Sequence, residues 1–174
     1  MDTTIRTGKI RCGFVHIAQP RKNDLNDKME YSLQLLIHKN SETASDIKEM
    51  IDKLLQERWG NNIPSTWVNP LRDAEGEGKK EAHYKDMYFM NVRSTEAPGI
   101  VGPDGLPIAN PMEPRSGDYF RVSMGGFSYI KPKNGISFGL NNVQWLEKGE
   151  TLTGRKRAED EFGPMTKSGN SRFE

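Results

Sequence analysis

Five short runs in which apolar and polar residues alternate set the strongest limit on the folds open to this chain. The runs cover residues 9–17, 29–38, 85–94, 118–129 and 136–144. Because successive side chains of a strand point to opposite faces, each run predicts a strand with one buried and one exposed face. The sequence therefore predicts a mainly β domain of five antiparallel strands.

One segment between the second and third runs has a helical period instead. Its apolar positions follow the roughly 3.6-residue spacing of an amphipathic helix. They are Ile47, Met50, Ile51, Leu54 and Leu55. Thr43 and Asp46 have the spacing of a capping box, and Gly60 follows the last helical residue, Trp59, as a C-terminal cap. We expect one principal helix, placed after the second strand.

The segments between these elements are long and rich in turn residues. Residues 61–82 are polar and glycine-rich and predict a surface loop, while residues 97–114 hold five prolines and three glycines and predict a shaped loop without a strand. The pair Gly125-Gly126 predicts a bulge or bend that lets the fourth strand curl. Together these features predict a five-stranded barrel resembling the oligonucleotide/oligosaccharide-binding (OB) fold, over residues 1–150, with a flexible C-terminal tail over residues 151–174.

Composition excludes several classes of protein. A chain of 174 residues suits one domain, and a net charge of +1 argues against binding to nucleic acid by bulk charge alone. Charge is uneven, because residues 5–22 contain five basic and no acidic side chains. The one cysteine, Cys12, excludes an internal disulfide framework, and no apolar run is long enough to span a bilayer. The expected compartment is therefore the cytoplasm, with no membrane partner.

Aromatic and basic residues share one predicted face of the third and fourth strands. Aromatic rings can stack on any base and cations can contact phosphates, so such a face suits an unpaired strand of any sequence. Strand parity and residue type give the candidate DNA-binding residues Arg11, Phe89, Asn91, Arg93, Tyr119, Arg121, Phe127, Tyr129 and Lys131. Phe127 and Tyr129 also suit a buried core, because their exposure depends on the strand register around the two glycines.

Catalysis has little support in the sequence. The three histidines lie in separate segments without the spacing of metal ligands, so no metal or cofactor is expected. Residues 76–80 lack the spacing of a phosphate-binding loop. Scattered loop carboxylates leave a metal-dependent nuclease as a minor alternative. A second alternative is a protein-docking module that uses strand edges and the proline-rich loop of residues 97–114.

Four segments of the chain carry a resemblance to a known family. They are YSLQLLI at 31–37, NPLRD at 69–73, YFMNV at 88–92 and GLNNVQ at 139–144. With the helix after the second strand, they resemble the OB-fold single-stranded DNA-binding proteins of tailed phages, relatives of phage helix-destabilising proteins. The resemblance extends to about residue 162.

That resemblance implies a protein that coats single-stranded DNA during phage replication and recombination in the host cytoplasm, without catalysis. It also implies contacts with replication or recombination proteins through an acidic C-terminal tail, and it is compatible with a homo-oligomer. The chain departs from this pattern after Phe162, because residues 163–174 are polar but not acidic.

Overall fold

Five long strands and one long helix form the framework of the protein in a computed structural model that describes residues 1–165. The long strands are β2 (Ile10–Lys22), β3 (Met29–His38), β5 (Met87–Ser94), β7 (Tyr119–Tyr129) and β8 (Gly135–Glu147). Three short strands accompany them: β1 (Thr4–Arg6), β4 (Arg72–Asp73) and β6 (Gly99–Val101). The helices are α1 (Glu42–Trp59) and the short α2 (Ala158–Glu161), with a 3-10 turn at Ala82–Tyr84. The predicted strands and principal helix are confirmed.

The five long strands close into an irregular ring. Going round it, β2 pairs with β3, β3 with β5, β5 with β8, β8 with β7, and β7 returns to β2. Two of these joins are short: β5 meets β8 in parallel only at Arg93 and Gly139, and β7 meets β2 over two residue pairs. The OB-like order with the helix after the second long strand is confirmed. The ring is not a regular barrel, and its parallel join differs from the antiparallel prediction.

The interior of the ring is a single apolar core. Every long strand contributes buried side chains, among them Cys12, Leu35, Val92, Phe120 and Phe138. Complete burial raises the pKa of the Cys12 thiol well above its usual range. Helix α1 covers this core with the apolar stripe predicted from its sequence, which is buried at four of its positions. No helix within residues 1–165 combines the length and apolar character that crossing a bilayer requires.

The paired glycines of β7 do not break the strand, and Gly126 leaves room for helix α1. Gly125 and Gly126 pair with β8 without interruption, so the predicted bulge at this point is wrong. The register shifts instead between Ser123 and Met124, where Asn141 of β8 is the extra residue. A Cβ at Gly126 would lie 2.8 Å from Leu54 Cδ1 and 2.9 Å from the Phe138 ring. A larger residue at this position would force Leu54 of α1 and the ring of Phe138 to move.

Helix α1 begins two residues earlier than its sequence predicted. Ser41 is the N-cap, and its Oγ accepts a hydrogen bond from the Ala44 N–H at 3.1 Å. The predicted cap, Thr43, is buried within the first turn, and its Oγ1 accepts from the Gly8 N–H at 3.0 Å. The C-terminal prediction is confirmed, because Gly60 has a φ of 56° and its N–H bonds the Gln56 carbonyl.

Replacing Ser41 with alanine should lower the free energy of unfolding by about 1 kcal/mol, because the first turn loses its side-chain acceptor. Urea unfolding followed by circular dichroism measures this change. Ser45→Ala is the matched control, since Ser45 is exposed inside the helix and alanine is a better helix former there. Equal stabilities for the two variants would show that Ser41 does not act as the cap.

Both long loops contain short strands that the sequence did not reveal. Within residues 97–114, β6 pairs in parallel with β8, with Gly99 opposite Asn142, so the prediction of a strand-free loop is wrong there. Within residues 61–82, β4 pairs with β5, with Arg72 opposite Phe89. Strands this short form only by pairing with a neighbouring long strand, so no alternating run of residues predicts them.

The chain after β8 folds back onto the ring around a buried ion pair. Arg157 is 7% exposed, and its Nη2 donates to Asp118 Oδ1 at 2.6 Å and to the Ser116 carbonyl at 3.2 Å. Asp118 is fully buried and also accepts from Trp145 Nε1, the Gly149 N–H and the Arg115 N–H at 2.9 to 3.0 Å. The carboxylate of Asp118 therefore joins three separate segments of the chain.

The acidic helix α2 lies against basic residues next to this pair. Glu159 contacts Arg115 Nη1 at 2.9 Å, and Asp160 contacts Lys148 Nζ at 2.9 Å. A hydrogen bond from its own backbone N–H and the ammonium of Lys148 lower the pKa of Glu159 to about 2. A domain boundary at residue 150 stays a prediction, and residues 166–174 of the predicted tail lie outside the described residues.

Candidate nucleic-acid interface

The outward side chains of β2, β3 and β5 form an open groove across three neighbouring strands. Cross-strand pairs set its rows: Gly13, Gln34 and Asn91 share one row, and Ser32 pairs with Arg93 in another. The groove has a volume of about 500 Å³. It is lined by Phe14, His16, Arg21, Lys22, Asn23, Asp24, Leu25, Glu30, Ser32, Leu33, Gln34, Asn91 and Arg93. We call it the first groove.

Phe14 gives the first groove an exposed aromatic ring. The register of β2 against β3 shifts between Gly13 and His16, and Phe14 in this bulge has a φ of 45°, which residues other than glycine rarely adopt. Its side chain is 58% exposed. Strict alternation groups Phe14 with the buried Ile10 and Cys12, so no pattern of residues indicates this exposure. An exposed ring at a groove offers a surface on which a base can stack.

Cations stand along the first groove with two acids among them. The lining holds three cations, Arg21, Lys22 and Arg93, and two acids, Asp24 and Glu30, so its net charge is +1 with histidine neutral. Arg93 is half-exposed, and its Nε lies 3.9 Å from Glu30 Oε2, too far for a hydrogen bond. The guanidinium of Arg93 is therefore available to a phosphate.

His16 adds a titratable group to the same groove. Its Nε2 lies 3.4 Å from Arg21 Nη1. Partial burial, and secondly the charge of Arg21, lower the pKa of His16 from its usual value. The imidazole is therefore mainly neutral at pH 7 and offers a polar ring beside Phe14 rather than a charge.

Three predicted site residues lie on β5, and only two of them line the first groove. Asn91 and Arg93 are exposed there. Phe89 is 2% exposed, so its predicted exposure is wrong. It has the expected parity, but β4 and the 3-10 turn cover this end of the sheet, with Arg72 4.6 Å and Lys79 Nζ 4.8 Å from the ring centre. Phe89 forms a second small core with Leu36, Ala74 and Tyr84.

Arg11 and Tyr119 lie together where β2 meets β7, away from the first groove. Arg11 Nε donates to the Gly117 carbonyl at 2.9 Å, and its Nη2 donates to the Glu150 carbonyl. Tyr119 is half-buried, with Lys9 Nζ 4.9 Å from its ring centre. The guanidinium of Arg11 is thus engaged in holding two loops of the fold together.

The remaining predicted residues lie on the outer face of β7 and in the turn after it. Arg121 and Phe127 are exposed, Tyr129 is half-buried with its ring 6.5 Å from that of Phe127, and Lys131 is exposed in the turn. The outward parity of Arg121 therefore continues through Gly125 and Gly126, where the sequence predicted an interruption. Strands β7 and β8 form a different part of the ring from β2, β3 and β5. The nine predicted residues are therefore divided among several surfaces.

The groups considered for metal chemistry are separated and already paired. His38 Nδ1 accepts from the Asn40 N–H, and the His83 ring packs on Tyr84. Asp73 forms an ion pair with Lys39 at 2.7 Å, and this contact lowers the pKa of its carboxyl. Within residues 1–165, no group of three or more His, Cys, Asp or Glu side chains is arranged to hold a metal ion.

The ring order, the helix after the second long strand and the groove on β2, β3 and β5 define an OB-fold-like protein with an open groove on three strands of its ring. Comparison with known proteins gives the family. The family model described as Enterobacter phage Enc34, ssDNA-binding protein, matches residues 3–171. The chain belongs to this family of phage single-stranded DNA-binding proteins, as its sequence predicted.

Individual relatives are distant but cover most of the chain. Putative protein p50 of Acyrthosiphon pisum secondary endosymbiont phage 1 is 24% identical over 159 residues, which is 86% of each chain. The single-stranded DNA-binding protein of bacteriophage Enc34, solved in complex with ssDNA, superposes with a TM-score of 0.74 at 16% identity over 86% of this chain and 89% of that one. The protein gp2.5 of bacteriophage T7 superposes with a TM-score of 0.66 at 14% identity over 92% of both chains. These similarities show a shared fold.

Proposed function

We propose that the protein binds single-stranded DNA in the first groove and catalyses no reaction there. The observation that carries this function is the exposed ring of Phe14 beside the cations Arg21 and Arg93, in a chain of this family. The Enc34 protein, which shares the fold, was solved in complex with ssDNA.

The chemistry of the groove suits a strand of any sequence. A base stacked on Phe14 contributes about 1 to 3 kcal/mol, and every base has a flat face for such stacking. Arg21, Lys22 and Arg93 contact phosphates, which are present at every nucleotide. The side-chain amide of Asn91 can bond base edges. The affinity therefore depends more on whether the DNA is single-stranded than on its base sequence.

Copies of the protein bound along a strand coat and protect unpaired DNA during phage replication and recombination, in the cytoplasm of the host cell. We assign DNA binding to a domain of residues 1–150, because all residues that line the first groove precede residue 150. We assign contacts with replication or recombination proteins to residues 151–174, which include the acidic helix α2.

Fluorescence anisotropy of a labelled oligonucleotide tests this function. We expect tight, salt-sensitive binding of a mixed-sequence single strand without magnesium, weaker binding of the matching duplex, and an intact strand afterwards. Absence of binding at low salt would contradict the proposal and favour a protein-docking module on the same fold. Strand cleavage that EDTA abolishes would instead identify a nuclease.

Arg93→Ala should weaken single-strand binding and reduce the slope of log K against log salt by about 0.7, the contribution of one phosphate contact. Anisotropy titrations across a salt series measure both quantities. Arg58→Ala is the matched control, because Arg58 is an exposed arginine of α1 outside the groove lining. An unchanged slope for Arg93→Ala would remove this residue from the binding site.

A further inference from the structure

A second groove lies on the outer faces of four strands, β6, β8, β7 and β1. Their pairing sets the order: Gly99 lies opposite Asn142, Asn142 opposite Ser123, and Ser123 opposite Arg6. This second groove has a volume of about 320 Å³. Its lining residues belong to these strands and to the turn after β6 at Gly105. None of them lines the first groove.

The second groove carries positive charge and no acidic side chain in its lining. Arg6 and Arg121 both line it, and no aspartate or glutamate does. Within residues 1–165, neither arginine forms an ion pair with a carboxylate. The groove beside Arg11 is different, because Arg11 and Lys148 stand there against Glu150 and Asp160. Arg6 also lines a separate pocket beside α1 together with Asp46 and Glu49. An anion entering the second groove therefore meets two cations and no acidic side chain in the lining of that groove.

The walls of the second groove are fixed by hydrogen bonds before any ligand binds. Arg121 Nε donates to the Thr7 carbonyl at 3.1 Å, which orients the guanidinium and leaves its terminal N–H groups for a ligand. Gln144 Nε2 donates to the Gly102 carbonyl at 3.2 Å, and Asn142 Oδ1 accepts from the Gly99 N–H at 3.1 Å. Side chains held in this way lose little entropy when they bind a ligand.

The second groove adjoins the first across β8. Arg93 of the first groove pairs with Gly139 of β8, three residues before Asn142. With strands about 4.8 Å apart and a rise of about 3.3 Å per residue, the Cα atoms of Arg93 and Asn142 lie about 11 Å apart. A strand that leaves the first groove at Arg93 can therefore reach the second groove directly.

We propose that the second groove binds the sugar-phosphate backbone of single-stranded nucleic acid that continues from the first groove, with Arg6 and Arg121 contacting phosphates. This proposal rests on the proposed function of the first groove. Phosphate is favoured because two arginines line the groove without acids, and the guanidinium of Arg121 is already oriented by its bond to the Thr7 carbonyl. The lining holds no aromatic side chain, so bases are not expected to stack there.

The double variant Arg6→Ala/Arg121→Ala tests this second groove, with anisotropy on oligonucleotides of about 4 and about 16 nucleotides, the limits of the site size of one OB fold. The short strand should bind to this variant as tightly as it binds to the unaltered protein. The long strand should bind several-fold more weakly, with a salt slope reduced by about 1.4 for two lost phosphate contacts. The double variant Arg58→Ala/Lys80→Ala removes two exposed charges outside both grooves and should change neither result.

Other outcomes would overturn the second groove. Suppose that Arg6→Ala/Arg121→Ala binds the long strand as the unaltered protein does, while Arg93→Ala binds it more weakly. This result would contradict the second groove and leave the proposed function intact. Equal losses of affinity for the short and the long oligonucleotide in Arg6→Ala/Arg121→Ala would also contradict the second groove. The two arginines would then contact the same nucleotides as the first groove. Failure of the unaltered protein to bind either strand would contradict both proposals. The variant Arg6→Gln/Arg121→Gln repeats the test, because glutamine removes the charge but keeps a longer side chain than alanine. Its thermal unfolding midpoint should match that of the unaltered protein.

Discussion

Replacing Asp118 with alanine should lower the free energy of unfolding by about 3 to 5 kcal/mol, the usual cost of removing one partner of a buried ion pair. Arg157 would lose its carboxylate partner in a site where it is 7% exposed. The Trp145 Nε1–H and the backbone N–H groups of Arg115 and Gly149 would lose their acceptor as well. The effect is large because one side chain satisfies four donor groups in three segments.

Urea unfolding measures this loss, and it should come with greater protease sensitivity of the chain after β8. Asp52→Ala is the matched control, because Asp52 is exposed on α1 and surface changes usually stay within about 0.5 kcal/mol. A loss below about 1 kcal/mol for Asp118→Ala would show that the segment around Arg157 does not depend on this pair for its position.

Phe14→Ala should weaken single-strand binding by about 1 to 3 kcal/mol, the contribution of one stacked base, or roughly 5- to 150-fold in Kd. Its ring is 58% exposed, so stability should change little and the effect should lie in binding. The salt slope should stay the same, because no cation is removed. This separates the role of Phe14 from that of Arg93.

Anisotropy titration at constant salt gives the affinity, and Phe14→Tyr is the matched variant, because it keeps an aromatic ring at the same position. Tyrosine should restore most of the binding that alanine loses. Equal affinities for Phe14→Ala and the unaltered protein would exclude base stacking at this position and leave the cations as the main contacts of the groove.

Residue alternation predicted most of the fold because local and tertiary requirements agree in the long strands. The outward parity of Arg121 was predicted correctly. Phe127, whose exposure the sequence left open, also lies outward, since β7 pairs with β8 along its whole length. Phe14 was missed because it lies within a bulge of β2 that interrupts the alternation. No pattern of residue types marks that bulge, as its cause lies in the pairing with β3.

Sequence was a weaker guide to the surfaces than to the strands. Phe89 has the outward parity expected of it, yet a segment from elsewhere in the chain covers its ring with Arg72 and Lys79. Which outward residues share a surface depends on how the ring closes, and the join of β5 to β8 rests on the pairing of Arg93 with Gly139. A contact of this kind leaves no periodic signal in either strand.

The burial of Cys12 makes the protein well suited to site-directed spectroscopy. It is the one cysteine of the chain, it is 0% exposed, and its thiol stays protonated because burial raises its pKa. Alkylating reagents act on exposed thiolates, so the folded protein should present no competing background. A cysteine introduced by Asn23→Cys at the edge of the first groove would then carry a single dye, whose emission reports directly when a strand occupies that groove.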